Sequence, residues 1–426
     1  MKDKSVFPLA LRLIVLNFLE FAVWGAYLTS MGSYLFGAGM PDQIGYFYAA
    51  QGFVSIFMPT LMGIVADRWV PAQRVFSFCH LMAGGFMCAA CYYGMSTDAP
   101  EFSVLFTLYT VSVAFFMPTI ALANSVAYNA LDTVKADTVK VFPYIRIFGT
   151  IGFIIAMIGV DLCGMQNDAR QFGVSGVISI VLCLYALTMP NCPVNKEVKS
   201  GSWVETLGLQ AFSLFKQKKM AIFFIFSFLL GASLQVTNGY ANPFIQAFGA
   251  DENFAGTFGV EHANILISLS QISETLCILL IPFFLKRFGI KVVMTMSMLA
   301  WVLRFGLFAV GDPGMPGVIL LILSMIVYGV AFDFFNISGS LFVNEETDKS
   351  IRSSAQGLFM LMTNGFGATI GTLVAGAVVN KFVNAEGLDV HQQLAGWSTC
   401  WYIFAGYALV VAVLFAICFK YKHQKK

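Results

Sequence analysis

Long apolar runs, broken at intervals by Gly, Pro, Asp or short basic clusters, dominate the 426-residue chain. An apolar run of about 20 residues wound as an α-helix crosses the hydrocarbon core of a bilayer. Read in this way, the pattern predicts helices near 9–36, 42–66, 72–94, 101–128, 142–164, 170–190, 219–248, 258–286, 290–310, 316–343, 351–383 and 394–419. The stretch 191–218 is the longest polar interruption and falls half-way. The expected fold class is therefore an all-α polytopic membrane protein with twelve transmembrane helices in two six-helix halves, residues 1–190 and 219–426, joined by a linker at 191–218.

Composition sharpens this picture by exclusion. Hydrophobic residues make up 58% of the chain and charged ones 11%, against roughly 25% charged in an ordinary soluble domain, and the mean hydropathy is +0.76. Too few polar side chains exist to wet a water-facing surface, so lipid is the expected solvent. A net charge of +2 is too small for a nucleic-acid partner. The opening run MKDKSVFPLALRLIVL is basic and then apolar without a small-residue cleavage site, which reads as a first spanning helix rather than a signal peptide. All nine cysteines except Cys192 lie in or beside apolar stretches and suit packed thiols. Cys88 and Cys91 form a C-x-x-C with no second ligand cluster at metal spacing, so neither a metal nor a cofactor is expected. No H-E-x-x-H or G-x-S-x-G motif is present, and of His80, His262, His391 and His423 none is expected mid-helix beside an acidic residue. An intramembrane enzyme is accordingly disfavoured, and a receptor would need an extramembrane domain for which the length leaves no room. A monomer is expected.

The basic residues add orientation. Of the 25, all but Arg146, Arg170, Arg304 and Lys381 fall at the N-terminus, the C-terminus or in connections on the same side. Cytoplasmic loops retain Lys and Arg, so both termini and the 191–218 linker are expected in the cytoplasm. The second-to-third and eighth-to-ninth connections each carry an interfacial Arg followed by an aromatic, Arg68-Trp69 and Arg287-Phe288. Two related six-helix halves are a known transporter plan.

Ionisable groups inside spanning helices cost about 2.5–3.5 kcal/mol on insertion scales and need a partner or a role. Glu20, Arg146, Glu274, Arg304 and Asp333 qualify. Helical spacing groups them with polar and aromatic neighbours: Arg146, Thr150 and Phe153 at i, i+4, i+7; Gln235 with Asn238; Gln271 with Glu274; and Tyr328 and Phe332 with Asp333. One reading is mutual satisfaction, Arg146 with Glu274 and Arg304 with Asp333. The other is a polar, ring-bearing, uncharged ligand, with amides for donor and acceptor edges, a carboxylate for hydroxyls and aromatic faces for stacking. A sugar or organic-anion carrier, with Arg146 as counter-ion, stays open on these grounds. Gly367 and Gly371 form a G-x-x-x-G that reads as close helix packing.

Several runs resemble a known family. Gly63-IVADRW is similar to a signature of the major facilitator superfamily, with Gln73 where a second basic residue is common. Trp24-GAYLTSMGSY, Arg146-IFGTIGF, Met220-AIFFIFSFLLGASLQVTN, Ser268-LSQISET, Val327-YGVAFDFFNISGS and Ser353-SAQGLFMLMTNGFG resemble the nucleoside:proton symporters of that superfamily over nearly the whole chain. The resemblance implies proton-driven uptake of purine and pyrimidine nucleosides at a site between the halves. It implies substrate contacts from Arg146, Thr150, Phe153, Gln235, Asn238, Gln271, Glu274, Tyr328 and Phe332, with Asp333 beside them. Glu20 departs from the family, which carries glutamine there. A neutral solute needs an ion gradient to be concentrated, and a carboxylate that desolvation protonates when the site closes can supply the coupling. Asp333, within Phe332-Asp-Phe334-Phe335, is the first candidate for proton coupling and Glu20 the second.

The basic asymmetry sets a test of topology. Reporters active only in the cytoplasm, fused within 191–218 and after Lys422, are expected to be active at both positions; activity confined to the outer face at either would overturn the orientation.

Overall fold

Without water to bond to, a backbone in lipid satisfies its N–H and C=O groups internally, and the helix does this within one segment. The computed structural model describes residues 6–194, 209–348 and 351–421, and among these there is no strand. Most of the predicted linker, 195–208, lies outside the described residues, as do Lys2, Lys4, Lys196, Lys199, Lys349, Lys422, Lys425 and Lys426.

The first unit of structure comprises Met1–Met40 and Phe53–Ser202, the second Pro41–Gly52 and Trp203–Lys426. Helices α1 (Val6–Gly25), α2 (Met31–Gly37), α3 (Ile44–Ser55), α4 (Met58–Arg68), α5 (Ala72–Ser96), α6 (Phe102–Thr133), α7 (Thr138–Leu162) and α8 (Arg170–Ala186) come first. They are followed by α9 (Lys218–Leu234), α10 (Val236–Ala247), α11 (Ala263–Val310), α12 (Gly317–Glu346), α13 (Arg352–Met360), a π-helical stretch (Leu361–Gly367), α14 (Ala368–Phe382) and α15 (Val390–Cys418). Among the described residues nine helical stretches are long and apolar enough to cross a membrane, and Arg170–Ala186 is a shorter apolar helix.

Hydropathy locates the apolar runs, but five of them are interrupted, 258–286 at His262, which separates a short helix at Phe258–Glu261 from α11. The run 9–36 breaks in a turn between α1 and α2, and 42–66 breaks between α3 and α4 just before Pro59, which takes the first turn of α4. Run 219–248 breaks at Gln235, and 351–383 passes through the π-helical stretch. Apolarity is blind to such breaks, because the side chains on both sides stay apolar while only the backbone turns. The expected boundary between 258–286 and 290–310 falls at Gly289, whose φ of 78° separates two helices within α11. Only glycine adopts that conformation without strain.

In the first unit, Leu13, Leu16, Phe76, Val126 and Leu182 are core residues from α1, α5, α6 and α8. Hydroxyls tie these helices to one another's backbone: Ser77 donates to the Cys183 carbonyl at 2.8 Å, Ser112 to Ala83 at 2.8 Å and Ser175 to Val23 at 2.7 Å. Gln73 holds the start of the linker, donating to Asn191 Oδ1 at 2.7 Å and accepting from the Cys192 N–H at 3.0 Å. The C-x-x-C is a packing device. A Cβ on Gly176 or Gly173 of α8 would meet the Sγ of Cys88 or Cys91, so two thiols at i, i+3 sit over two glycines at i, i+3. All nine cysteines are free thiols.

The second unit packs α9 against the π-helical stretch and α14. A Cβ on Gly367 would lie 2.6 Å from the Phe228 carbonyl, and one on Gly371 would meet Ala232, so the G-x-x-x-G does bring backbones together. Residues 41–52 belong here too. Asn380 and Asn384 donate to the carbonyl and carboxylate of Asp42 at 3.0 and 3.2 Å.

Small residues where α1 meets α7 give a stability test. A Cβ on Gly152 would strike the Phe18 carbonyl, whereas Gly159 on the same helix has nothing within 4 Å of that position. Overpacking costs about 1–3 kcal/mol, while Gly→Ala in an open helical position gains up to about 1 kcal/mol. Gly152→Ala is expected to lower, and Gly159→Ala to hold or raise, the thermal midpoint followed by tryptophan fluorescence in detergent.

Candidate functional site

In the first unit, α7 carries Arg146, Thr150 and Phe153 on one face, as their spacing requires. The Arg146 guanidinium lies 3.9 Å from the centroid of the Phe21 ring, a cation–π contact that steadies a charge inside an apolar region. Phe153 is buried and meets Trp24 edge-on at 6.4 Å. Both ring partners come from α1, which α7 approaches closely through Gly25, Gly149 and Gly152.

Glu20 of α1 lies within a closed network rather than alone. Its Oε2 is 2.7 Å from His80 Nε2 on α5, and its Oε1 accepts from Thr119 on α6 at 2.6 Å. Glu20 and His80 are both fully buried. This corrects the expectation that no histidine sits mid-helix beside an acidic residue. Glu20 and His80 are 60 residues apart, and only helix packing unites them.

In the second unit, Gln235 sits at the break between α9 and α10 and accepts from Asn238 Nδ2 at 2.9 Å. The expected neighbour relation holds, though a break replaces the continuous helix from which it was drawn. Broken helices of this kind expose backbone and side-chain polar groups inside a membrane protein. Gln271 and Glu274 lie three apart on α11, both half-buried. On α12, Tyr328 and Phe332 stack at 5.6 Å with 16° between their planes.

Arg304 and Asp333 do not form the ion pair considered above. The Arg304 guanidinium stands 4.5 Å over the Tyr328 ring and donates to the Ser324 carbonyl at 2.8 Å. Asp333 is buried, and its Oδ2 has no hydrogen-bond partner among the described residues. Phe332 also lines a cleft of about 250 Å³ with Asn336, Ser340, Gln356 and Asn364. Sequence reasoning missed these polar residues. Their signal was present, since Asn336 and Ser340 follow Phe332 at i+4 and i+8 on α12. Among the described residues no group of three or more His, Cys, Asp or Glu could hold a metal.

A helical membrane protein that carries charged, amide and stacked aromatic side chains on its spanning segments is built as a secondary transporter. The family described as "Nucleoside H+ symporter" matches residues 7–424, and the chain belongs to it. It is 48% identical over 419 residues to the nucleoside permease NupG of Escherichia coli strain K12, covering 98% of this chain and 97% of that protein. It is likewise 48% identical over 418 residues to the xanthosine permease of the same strain, with the same coverage. A crystal structure of nucleoside transporter NupG superposes with a TM-score of 0.87 at 48% identity, covering 97% of this chain and 100% of that one. The protein is a proton-coupled nucleoside transporter of the membrane.

Proposed function

We propose that the chain carries purine and pyrimidine nucleosides into the cell by alternating access as a monomer in the bacterial inner membrane, through twelve spanning helices with both termini cytoplasmic. The six-and-six division at 191–218 and the one-sided distribution of Lys and Arg support that arrangement. Two relatives at equal identity bear the names of a nucleoside permease and a xanthosine permease, so the proposed substrate class includes xanthosine.

The observation that carries the recognition chemistry is the set of side chains on α9–α12: a paired Gln235 and Asn238 at a helix break, Gln271 and Glu274 on one face, and a Tyr328–Phe332 stack. Amides pair with the donor and acceptor edges of a base or sugar, Glu274 accepts from ribose hydroxyls, and Phe153 or Phe332 stacks on the base. Arg146 and Thr150 of α7 are the proposed substrate contacts of the first unit. The sugar and organic-anion readings are tested directly. Uptake of labelled uridine is expected to fall with excess adenosine or xanthosine and to be indifferent to glucose and lactate.

A buried polar group stripped of its partner costs about 1–3 kcal/mol, and about 1.4 kcal/mol is tenfold in affinity. Glu274→Gln and Gln271→Ala are each expected to weaken uridine binding by about tenfold or more. Equal affinity for uridine and 2′,3′-dideoxyuridine would remove Glu274 from the sugar.

Coupling falls to Asp333. A charge crossing 100 mV releases about 2.3 kcal/mol, enough for about fiftyfold accumulation per proton. A buried carboxyl with an oxygen lacking a partner holds a proton more readily than a lone charge, and it releases the proton when water reaches it. Asp333→Asn is expected to retain nucleoside counterflow while lowering uphill, pH-driven accumulation. Undiminished accumulation would take the coupling role from Asp333 and leave it to Glu20.

A further inference from the structure

A closed hydrogen-bond network joins four helices of the first unit. Glu20 on α1, His80 on α5, Thr119 on α6 and Ser179 on α8 are at most 1% exposed. His80 Nδ1 lies 2.9 Å from Ser179 Oγ, while Ser179 Oγ lies 3.0 Å from the His80 carbonyl. A serine hydroxyl has one proton. If Ser179 gave it to Nδ1, two oxygen lone pairs would face each other at the carbonyl. Giving it to the carbonyl satisfies both contacts, and Nδ1 then carries a proton of its own.

That assignment determines the other side of the ring. With Nδ1 protonated, a neutral imidazole offers only a lone pair at Nε2, and an ionised Glu20 offers only lone pairs at Oε2. The two atoms are 2.7 Å apart, a separation that needs a proton between them. It belongs either to an imidazolium facing a carboxylate or to a carboxylic acid facing a neutral ring. In both forms the pair holds one proton more than an ionised Glu20 with a neutral His80.

We propose that Glu20 and His80 form a buried dyad holding one exchangeable proton, a second proton site of the transport cycle besides Asp333. The inference rests on the proton-coupled reading above and deepens it. Loss of the proton opposes two lone pairs at 2.7 Å unless His80 shifts its remaining proton to Nε2 and Ser179 turns from the carbonyl to Nδ1, so emptying the dyad breaks a contact either between α1 and α5 or at Ser179 on α8.

Helix α1 connects the dyad to the substrate. Glu20 precedes Phe21, over which Arg146 stacks, and lies one turn before Trp24, which packs against Phe153. A nucleoside that engages Arg146 and Phe153 therefore bears on α1, and linkage requires that nucleoside and proton favour each other equally. The other titratable or charged groups facing the dyad are Cys79 from α5 and, through Phe21, Arg146 from α7. The groups from α6 and α8 that contact it are the hydroxyls of Thr119 and Ser179.

The test uses the full chain in lipid nanodiscs. Calorimetric titration with uridine in buffers of different ionisation enthalpy counts the protons taken up on binding, across about pH 5 to pH 9. Glu20→Gln preserves the fold, because the amide can donate to His80 Nε2, but it cannot release that proton. The wild type is expected to take up protons with uridine, and Glu20→Gln is expected to take up as much as one fewer at the pH where the dyad empties. Asp333→Asn is expected to keep the Glu20-dependent part. Equal proton uptake by wild type and Glu20→Gln at every pH would overturn the dyad alone, whereas no proton uptake by the wild type would overturn the coupled reading itself. An independent readout is ¹⁵N NMR of the four histidines, with His80 assigned by its loss in His80→Gln. The dyad requires Nδ1 protonated and a pH-dependent change at Nε2; an unprotonated Nδ1, or a His80 signal constant with pH, overturns it.

Discussion

Lipid offers no hydrogen bonds, so every polar group this chain carries into the membrane must find its partner within the protein. The helices satisfy the backbone, and side-chain hydroxyls are spent largely on neighbouring carbonyls, as with Ser77, Ser112 and Ser175. What remains is a short set of acids, one arginine on each side of the sequence midpoint, and a handful of amides. Their arrangement is where transport chemistry enters, because a group that is easily satisfied has no reason to change state.

The two units treat their acids differently. In the first, Glu20 is enclosed by His80 and Thr119, and every oxygen of its carboxyl has a partner. In the second, Arg304 is held by aromatic faces and a carbonyl instead of a carboxylate, and Asp333 Oδ2 has no hydrogen-bond partner among the described residues. A guanidinium over a tyrosine ring keeps its charge without neutralising an acid. That choice of partner leaves a buried carboxyl without an ion-pair partner in Arg304.

Close packing and broken helices are combined in the same segments. Gly367 and Gly371 bring α14 and the π-helical stretch against α9, and α9 itself ends at Gln235, where the amide pair begins. Tight backbone contact makes a segment rigid, while a break or a π turn leaves a position where the chain can bend. The amide pair thus stands where the chain can bend beside a tightly packed contact.

Much of this was legible in one dimension. The apolar runs, the packing role of the C-x-x-C and G-x-x-x-G, and the shared face of Arg146, Thr150 and Phe153 follow from helical period and from the insolubility of charge in lipid. These depend only on near neighbours along the chain. The helix breaks at Gln235 and in the π-helical stretch were not legible, since apolarity is indifferent to backbone direction. Nor were the partners of the buried charges. Arg304 could as well have met Asp333, and His80 gave no sign of Glu20, because a hydrogen bond between helices depends on which faces meet after packing. Sequence alone therefore determined which groups would be buried and on which helix faces they would stand; the tertiary structure decided which of them found partners, because pairing across helices is a property of packed surfaces and not of spacing along one chain.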